Sequence, residues 1–406
     1  MSEPPGPLAP VPAAAELWRS AAFAPTELSP HLRRLHAVDV LDAARHGDAA
    51  AAARLLSTWI DGHPYGKGEA WQPGALSARL GNWVAATTLC AELATDEVSR
   101  SAWEQLLRLR RRAGRDIGNA RGLVLGGISL GAPELARGGI DLVRRELDEP
   151  RLQRRPARLV VVLRELLEIQ AAFPHAWLGD AIERLRSFAA ALLRPDGAPA
   201  LFDEGTVDVP RLELPEPPAG VAAFEESGFV VARDGALWLA VRCGPPHAHA
   251  DALSLQLWWE GRPLLVDPGD GARSTAAHST VTVDGRDQPR RPDVRLRYVR
   301  PGAIEGSVLL HGGIRHIRRV EWDAASGDVL VLDALEGRGV HDVASRLCWA
   351  PITTAFGLEA IGGGDVTTER AFIVERVGER VEATATVARV RLRLPAELGW
   401  RLALSS

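Results

Sequence analysis

The chain has 406 residues and a net charge of only -4, enough length for two domains with substantial cores. That charge balance excludes the strongly basic surface that a nucleic-acid partner requires. No apolar run reaches the roughly 20 residues of a membrane helix. Met1–Ala15 is rich in Pro and Ala and lacks the basic and apolar regions of a signal peptide, so the expected location is cytoplasmic. Cys90, Cys243 and Cys348 lie far apart and read as reduced core thiols. Lys67 is the single lysine, and the excess of Arg reflects coding composition rather than function.

From about Ala14 to Leu193 apolar residues recur every three and four positions. The spacing predicts helices over Leu32–His46, Ala49–Ile60, Leu76–Leu93, Glu97–Ala113, Leu123–Leu130, Pro133–Leu147, Leu159–Phe173 and Leu178–Leu192. Short breaks such as Gly131-Ala132-Pro133 separate them, so neighbours pair antiparallel. Such an array closes into an α/α toroid or stays a bundle, and periodicity does not choose between the two.

The pattern changes near Arg194-Pro195-Asp196-Gly197, and the Pro- and Glu-rich 208–220 reads as a linker. Alternating runs follow at Gly228–Arg233, Leu237–Cys243, Leu253–Trp259, Pro263–Val266, Ser279–Val283, Val329–Asp333 and Val387–Leu394. Turns at Asp234-Gly235, Glu260-Gly261 and Asp284-Gly285 punctuate them. The expected architecture is α+β: a helical domain over 1–207, then a β-sandwich of stacked antiparallel sheets over 221–406.

The densest polar cluster is His247-Ala248-His249-Ala250-Asp251. On a strand His247, His249 and Asp251 share one face, continued by Leu253, Leu255 and Leu257. Asp267 and His278 follow. Two imidazoles and a carboxylate with an open fourth position form a familiar zinc set. On spacing alone, polar residues at strand ends and turns remain the alternative. A tight hairpin at Glu260-Gly261 would not set Asp267 opposite His249, so the zinc reading demands a bulge or bend. In the helical half, His63, Tyr65, Lys67 and Trp71 cluster in sequence and could supply acid/base and anion-binding groups, or simply form an exposed loop with Trp71 packed inward. Tyr298 reads as a strand residue. His31, His36, His46, His175, His311, His316 and His341 show no partners and read as surface or core.

Three segments then stand in order over about forty residues: His247-Ala-His-Ala-Asp-Ala-Leu-Ser254, Gly261-Arg-Pro-Leu-Leu-Val-Asp-Pro-Gly269, and Arg273 through His278 to Gln288. Together they resemble the signature of the heparinase II/III-like C-terminal domain; beyond Gln288 the likeness weakens. The resemblance implies an incomplete α/α toroid followed by stacked antiparallel sheets. It implies zinc on His249, Asp267 and His278, with His247 lining a catalytic cleft, and it places Arg273 among the substrate-binding residues. Trp71 to Trp83 is similar to a family helix that carries Arg79 and Asn82. Gly118-Asn119-Ala120 is similar to a Gly-Asn-His motif, with Ala120 in place of the His. Gln153–Leu159 stands where members carry the catalytic Tyr followed by His, here Arg158 and Leu159. An Arg side chain does not abstract protons at ordinary pH. Only eleven residues separate Asp267 from His278, where members usually insert a longer loop.

The resemblance implies a polysaccharide-lyase reaction, β-elimination beside a uronic acid, at a zinc-supported site between the two domains. The expected catalytic residues are His247, Asn119, Tyr65 and Arg79; the expected substrate-binding residues are His63, Lys67, Trp71, Asn82 and Arg273. The expected cofactor is Zn2+. The expected partner is an acidic saccharide or smaller acidic molecule, with a homodimer allowed and neither nucleic acid nor membrane. A non-catalytic, zinc-stabilised relative that binds carbohydrate or a protein is the competing expectation.

Overall fold

The computed structural model describes residues 6–20, 23, 30–63, 65–148, 155–203, 205, 207, 209, 212–269, 272–351, 356–376 and 379–404. Pro64, Gln153, Arg154 and residues 208, 210 and 211 of the expected linker lie outside these. Contacts divide the chain into two compact units. The first holds Met1–Glu149, Val160–Arg186 and Val209–Glu213; the second holds Pro150–Leu159, Ser187–Asp208 and Leu214–Ser406.

Ten α-helices occur among the described residues: α1 Ala15–Arg19, α2 Pro30–Leu35, α3 Val38–Arg45, α4 Ala49–Gly62, α5 Pro73–Leu89, α6 Asp96–Arg112, α7 Ile117–Ser129, α8 Pro133–Leu147, α9 Pro156–Ala172 and α10 Ala176–Ala191. The helix expected over Leu32–His46 is two helices, because Ala37 takes a left-handed φ of 52° and ends the first. Starts follow local chemistry. Asp48 and Thr95 cap α4 and α6 by accepting hydrogen bonds from Ala51 N and Val98 N, and Pro73 and Pro133 open α5 and α8.

The helical unit packs tightly around glycines of α7. A Cβ on Gly127 would lie 2.6 Å from the backbone nitrogen of Ala136 in α8, and one on Gly122 would lie 2.7 Å from Cα of Ser77 in α5. Neither obstacle is a side chain that can swing away. The core around them includes Leu76, Leu80, Trp83, Leu106 and Leu109.

The second unit carries fifteen strands among the described residues: β1 Gly220–Phe224, β2 Phe229–Asp234, β3 Leu237–Arg242, β4 Leu255–Trp259, β5 Arg262–Leu265, β6 Val281–Val283, β7 Val294–Arg300, β8 Ala303–Leu309, β9 Arg315–Asp323, β10 Asp328–Glu336, β11 Val340–Trp349, β12 Gly357–Ile361, β13 Asp365–Arg376, β14 Glu379–Arg393 and β15 Ala396–Ala403. They form two antiparallel sheets, one ordered β1-β2-β3-β4-β5-β11-β14-β13 with β6 beside β11, the other β12-β15-β10-β9-β8-β7. One core joins them, with Val230, Leu239, Leu257 and Leu347 from the first sheet and Val320, Val331, Trp400 and Leu402 from the second. The helical half followed by stacked antiparallel sheets is the architecture expected from the sequence. The Glu260-Gly261 and Asp284-Gly285 turns have positive φ at both residues, as two-residue hairpins favour.

One buried ion pair lies inside the sandwich. Arg318 on β9 donates from Nε and Nη2 to the two oxygens of Asp333 on β10, at 2.7 and 2.8 Å. His316 Nε2 lies 2.7 Å from the same carboxylate, Ser345 donates to it, and Trp400 Nε1 donates to Ser345. Burial alone would raise the Asp333 carboxyl, but Arg318 and His316 outweigh it and hold the group far below its ordinary 3.8. Burial keeps His316 below its ordinary value, so the pair carries one charge of each sign.

Two outcomes follow from this packing. Gly127→Ala forces α7 and α8 apart and should cost about 1–3 kcal/mol in chemical denaturation. A carboxyl lowered on folding stabilises above its ordinary value and loses that contribution as pH falls below about 4. Stability measured against pH should therefore drop below that point, and Asp333→Asn should flatten the drop while lowering stability at pH 7; an unchanged acid limb would refute the ion pair's role.

Candidate metal centre

Three loops of the second unit build the site. His249 lies in the segment between β3 and β4, Asp267 directly after β5, and His278 directly before β6, after the short 3-10 turn Thr275–Ala277. The bend that the sequence demanded is present: β4 and β5 slip by one residue between Leu257 and Trp258. The strand expected to carry His247, His249 and Asp251 on one face is not present, however. Residues 247–250 are bends, and β4 begins only at Leu255. Leu253 takes a left-handed φ of 60°, which no strand tolerates. The cluster's side chains therefore diverge, with His249 and Asp251 buried and His247 exposed.

Nδ1 or Nε2 of His249, Nδ1 or Nε2 of His278 and a carboxylate oxygen of Asp267 all lie within 4.8 Å of one another. All three residues are buried. His278 Nδ1 lies 3.0 Å from Asp267 Oδ2, and the imidazoles meet at 5.4 Å between centroids. Neither ring nitrogen of His249 has a hydrogen-bond partner, nor has Nε2 of His278. Orphaned nitrogens in a buried site are costly and call for an occupant. Burial, reinforced by the neighbouring His278, holds His249 below its ordinary pKa. Burial would lower His278 as well, but Asp267 outweighs it and raises the group. Two nitrogens and one carboxylate oxygen, buried together, fit a divalent cation that accepts mixed nitrogen and oxygen ligands.

The loops are stitched to one another. The Gln288 side chain both accepts from Ala252 N and donates to Ala252 O, and Thr280 donates to the same carbonyl. Gln288 N donates to Thr275 Oγ1, and Ala250 N donates to the carbonyl of Arg273, whose own side chain is exposed.

Beside the metal-type set stands a charged cluster that pattern reading missed. Arg242, fully buried on β3, donates to Asp251 at 3.1 Å and lies 3.6 Å from Asp203. Asp203 accepts from Ala248 N, and its other oxygen lies 3.8 Å from His247 Nδ1. The His247 side chain is 40% exposed. Burial raises the Asp251 carboxyl. A signal for Arg242 was present in Leu-Trp-Leu-Ala-Val-Arg242, an arginine ending a wholly apolar run. Asp203 had none, standing 45 residues from its partner.

The residues expected in the helical unit separate into two groups. His63, Tyr65 and Trp71 come together: His63 stacks on Trp59 at 4.5 Å, and Tyr65 meets Trp71 edge-on at 4.9 Å. Tyr65 is 41% exposed and Lys67 is also exposed. Arg108 on α6, which sequence reading missed, holds this loop by donating to the carbonyls of Gly66 and Trp71. Arg79, by contrast, is wholly buried. It donates to Gln105, Leu35 O and Ala70 O and lies over Trp59 at 3.9 Å, and burial pushes it down to about 9. Its donors serve the protein interior, so it is not placed to hold an external anion. Asn82 donates to His36 O and Asn119 to Gly114 O, while Asn119 Oδ1 has no partner. Ala120 and Leu159, where the family motifs carry His, are fully buried.

Residues 216–403 match the family model described as heparinase II/III-like, C-terminal. Those residues form a heparinase II/III-like C-terminal domain. Among solved structures, a crystal structure of heparinase III aligns at TM-score 0.75 with 11% identity, over 98% of this chain and 86% of that one. A second heparinase III aligns at 0.70 with 15% identity, over 95% and 80%. Heparan sulfate lyase HepC from Pedobacter heparinus aligns at 0.66 with 14% identity, over 96% and 79%. At such identities the likeness is one of fold. No curated protein matches the chain in sequence. No helix among the described residues is long and apolar enough to cross a membrane.

If the orphaned nitrogens are metal ligands, metal analysis of the purified protein should find about one divalent ion per chain. His249→Ala should bring metal content and melting temperature down together. A metal-free variant that melts like the parent would refute the assignment.

Proposed function

We propose that this protein is a lyase-type enzyme that cleaves an acidic, uronic-acid-containing saccharide or a smaller acidic molecule by β-elimination, with zinc on His249, Asp267 and His278. The observation that carries the reading is the contrast within one short loop. His249 is buried with both nitrogens unpartnered, whereas His247, two residues away, presents an exposed ring beside the buried Asp203 carboxylate. A metal site alone has no use for the second arrangement.

Elimination requires a neutralised substrate carboxylate, a base for the proton beside it, and an acid for the leaving oxygen. His247 is the group offered for proton transfer, with the Asp203 carboxylate 3.8 Å from its Nδ1. When bound, zinc supplies positive charge and rigidity to the three loops. In the helical unit, Tyr65 offers an exposed phenol on an aromatic base, and His63, Lys67 and Asn119 are further polar groups for an acidic saccharide.

A second reading has its own observation. Ala120 and Leu159, at the family's His positions, are packed into the interior, and Arg158 stands at the Tyr position. A zinc-stabilised scaffold that binds carbohydrate or a protein without turning it over would lose those groups in this way.

The deciding assay follows ultraviolet absorbance of the conjugated double bond formed by elimination, against a panel of uronic-acid polymers and oligomers. Rising absorbance, abolished by His247→Ala with zinc retained, is the expected result. Zinc without any absorbance change across the panel would select the non-catalytic scaffold, and loss of zinc in His247→Ala would make that residue a ligand.

A further inference from the structure

The two imidazoles come from loops that have no strand pairing to fix their separation. His249 belongs to the bent segment before β4, and His278 to the turn before β6. Thr280 already ties the two loops together at the carbonyl of Ala252, and a second tie comes from the other sheet. Nη1 of Arg318 donates to the carbonyl of Leu253 at 3.0 Å and also to the carbonyl of Ser279. Leu253 follows His249 by four residues and carries the strained left-handed φ of 60°. Ser279 follows His278 directly. One nitrogen thus spans the exits of both loops.

The guanidinium is itself immobilised, because its Nε and Nη2 grip Asp333, which His316 and Ser345 also hold. Space for the strained residue is made opposite. Gly306 pairs with Arg318 across β8 and β9, and a Cβ there would meet the Leu253 side chain at 2.7 Å. A bulky non-glycine residue in a left-handed conformation persists only where its surroundings enforce it. Here the enforcement comes from Arg318 on its carbonyl and Gly306 beneath its side chain.

We propose that Arg318 is the positioning residue of the metal centre: anchored on Asp333, it clamps the carbonyls of Leu253 and Ser279 and so sets the separation of His249 and His278 before any ion arrives. The inference rests on the reading of His249, Asp267 and His278 as metal ligands. It makes the Arg318–Asp333 pair part of metal selection as well as of the sandwich core.

The test uses Co2+ on the whole protein freed of metal, measured well below each variant's melting temperature. The readouts are affinity by calorimetric titration and the visible ligand-field band, which reports ligand geometry. Arg318→Met should bind Co2+ about 10- to 100-fold more weakly, the range seen when groups behind metal ligands are removed, with an altered band. Arg318→Lys, which keeps the charge but cannot fork, should fall between it and the parent. Ser345→Ala supplies the structural control, since it loosens the same network without touching the clamp. It should lower stability yet leave affinity and band unchanged. Removing the guanidinium strands the Asp333 carboxylate, so Asp333→Asn is measured too and should weaken Co2+ binding if Arg318→Met does not fold. Parental affinity and band in both Arg318→Lys and Asp333→Asn would overturn the proposal, as would a loss in Ser345→Ala equal to theirs. A parent protein that takes up no Co2+ would instead overturn the metal reading on which the proposal rests.

Discussion

A guanidinium inside a β-sandwich must be matched by carboxylate and carbonyl oxygens, because no water reaches it to do so. That constraint governs the second unit. Arg318 and Arg242 are both fully buried, and each faces acid: Arg318 the single carboxylate of Asp333, Arg242 the pair Asp203 and Asp251. Taking such charges out of water costs several kcal/mol per ion unless geometry and further hydrogen bonds offset it. The offset at Arg318 is complete enough to settle the neighbouring backbone. Its remaining donors reach carbonyls on two loops, and those loops carry the histidines. Arg242 donates to Asp251 at 3.1 Å and lies 3.6 Å from Asp203. The Arg318–Asp333 pair lies behind the metal-type set, and Arg242 and its acids lie beside the exposed His247.

The helical unit uses a buried arginine differently. Arg79 meets only neutral acceptors and the face of Trp59. It ties the chain near Leu35 and Ala70 to α5 and α6, as a cross-brace would. Glu168 on α9 serves a comparable purpose, accepting from Trp18 and from Arg121, whose guanidinium lies over Gly81. The second brace stands where Gly81 leaves no room for a larger side chain. Glycines give the proximity, and single buried polar groups give the register.

Most helices were legible because they bury one stripe, and a stripe of period 3.6 survives in sequence; α5 and α7 are buried on nearly every face and show it only weakly. The strands that were missed show where such reading fails. On β9, His316 and Arg318 are interior residues with charged or polar side chains, so Arg-His-Ile-Arg-Arg-Val does not look like a core strand. On β13 the outward positions carry Glu, Arg and Thr in such number that alternation is blurred, and β14 was legible only in its last part, within the run Val387–Leu394. The metal-type residues were legible as a set because their motif is local. Their arrangement was not, because it depends on Leu253 adopting a backbone conformation that its residue type disfavours. Asp203 and Arg318 were invisible for a plainer reason. Asp203 meets Ala248 45 residues on, and Arg318 meets Asp333, Ser279 and Leu253 across 15, 39 and 65 residues, and one sequence carries no mark of such pairings.

The same distinction bears on what this relative has kept. Ala120 and Leu159, at the positions where the family motifs that they resemble carry His, are fully buried. In the β unit, four buried acids (Asp203, Asp251, Asp267 and Asp333), two buried arginines (Arg242 and Arg318) and the histidines His247, His249 and His278 lie within and behind a few loops. A scaffold needing only stability would be better served by apolar residues of similar volume, since replacing buried ion pairs by well-packed hydrophobes is often neutral or stabilising. Retention of so much buried charge is therefore a statement about geometry. The unit holds particular atoms at particular places, and the atoms so held are the nitrogens of His249 and His278 and the ring of His247.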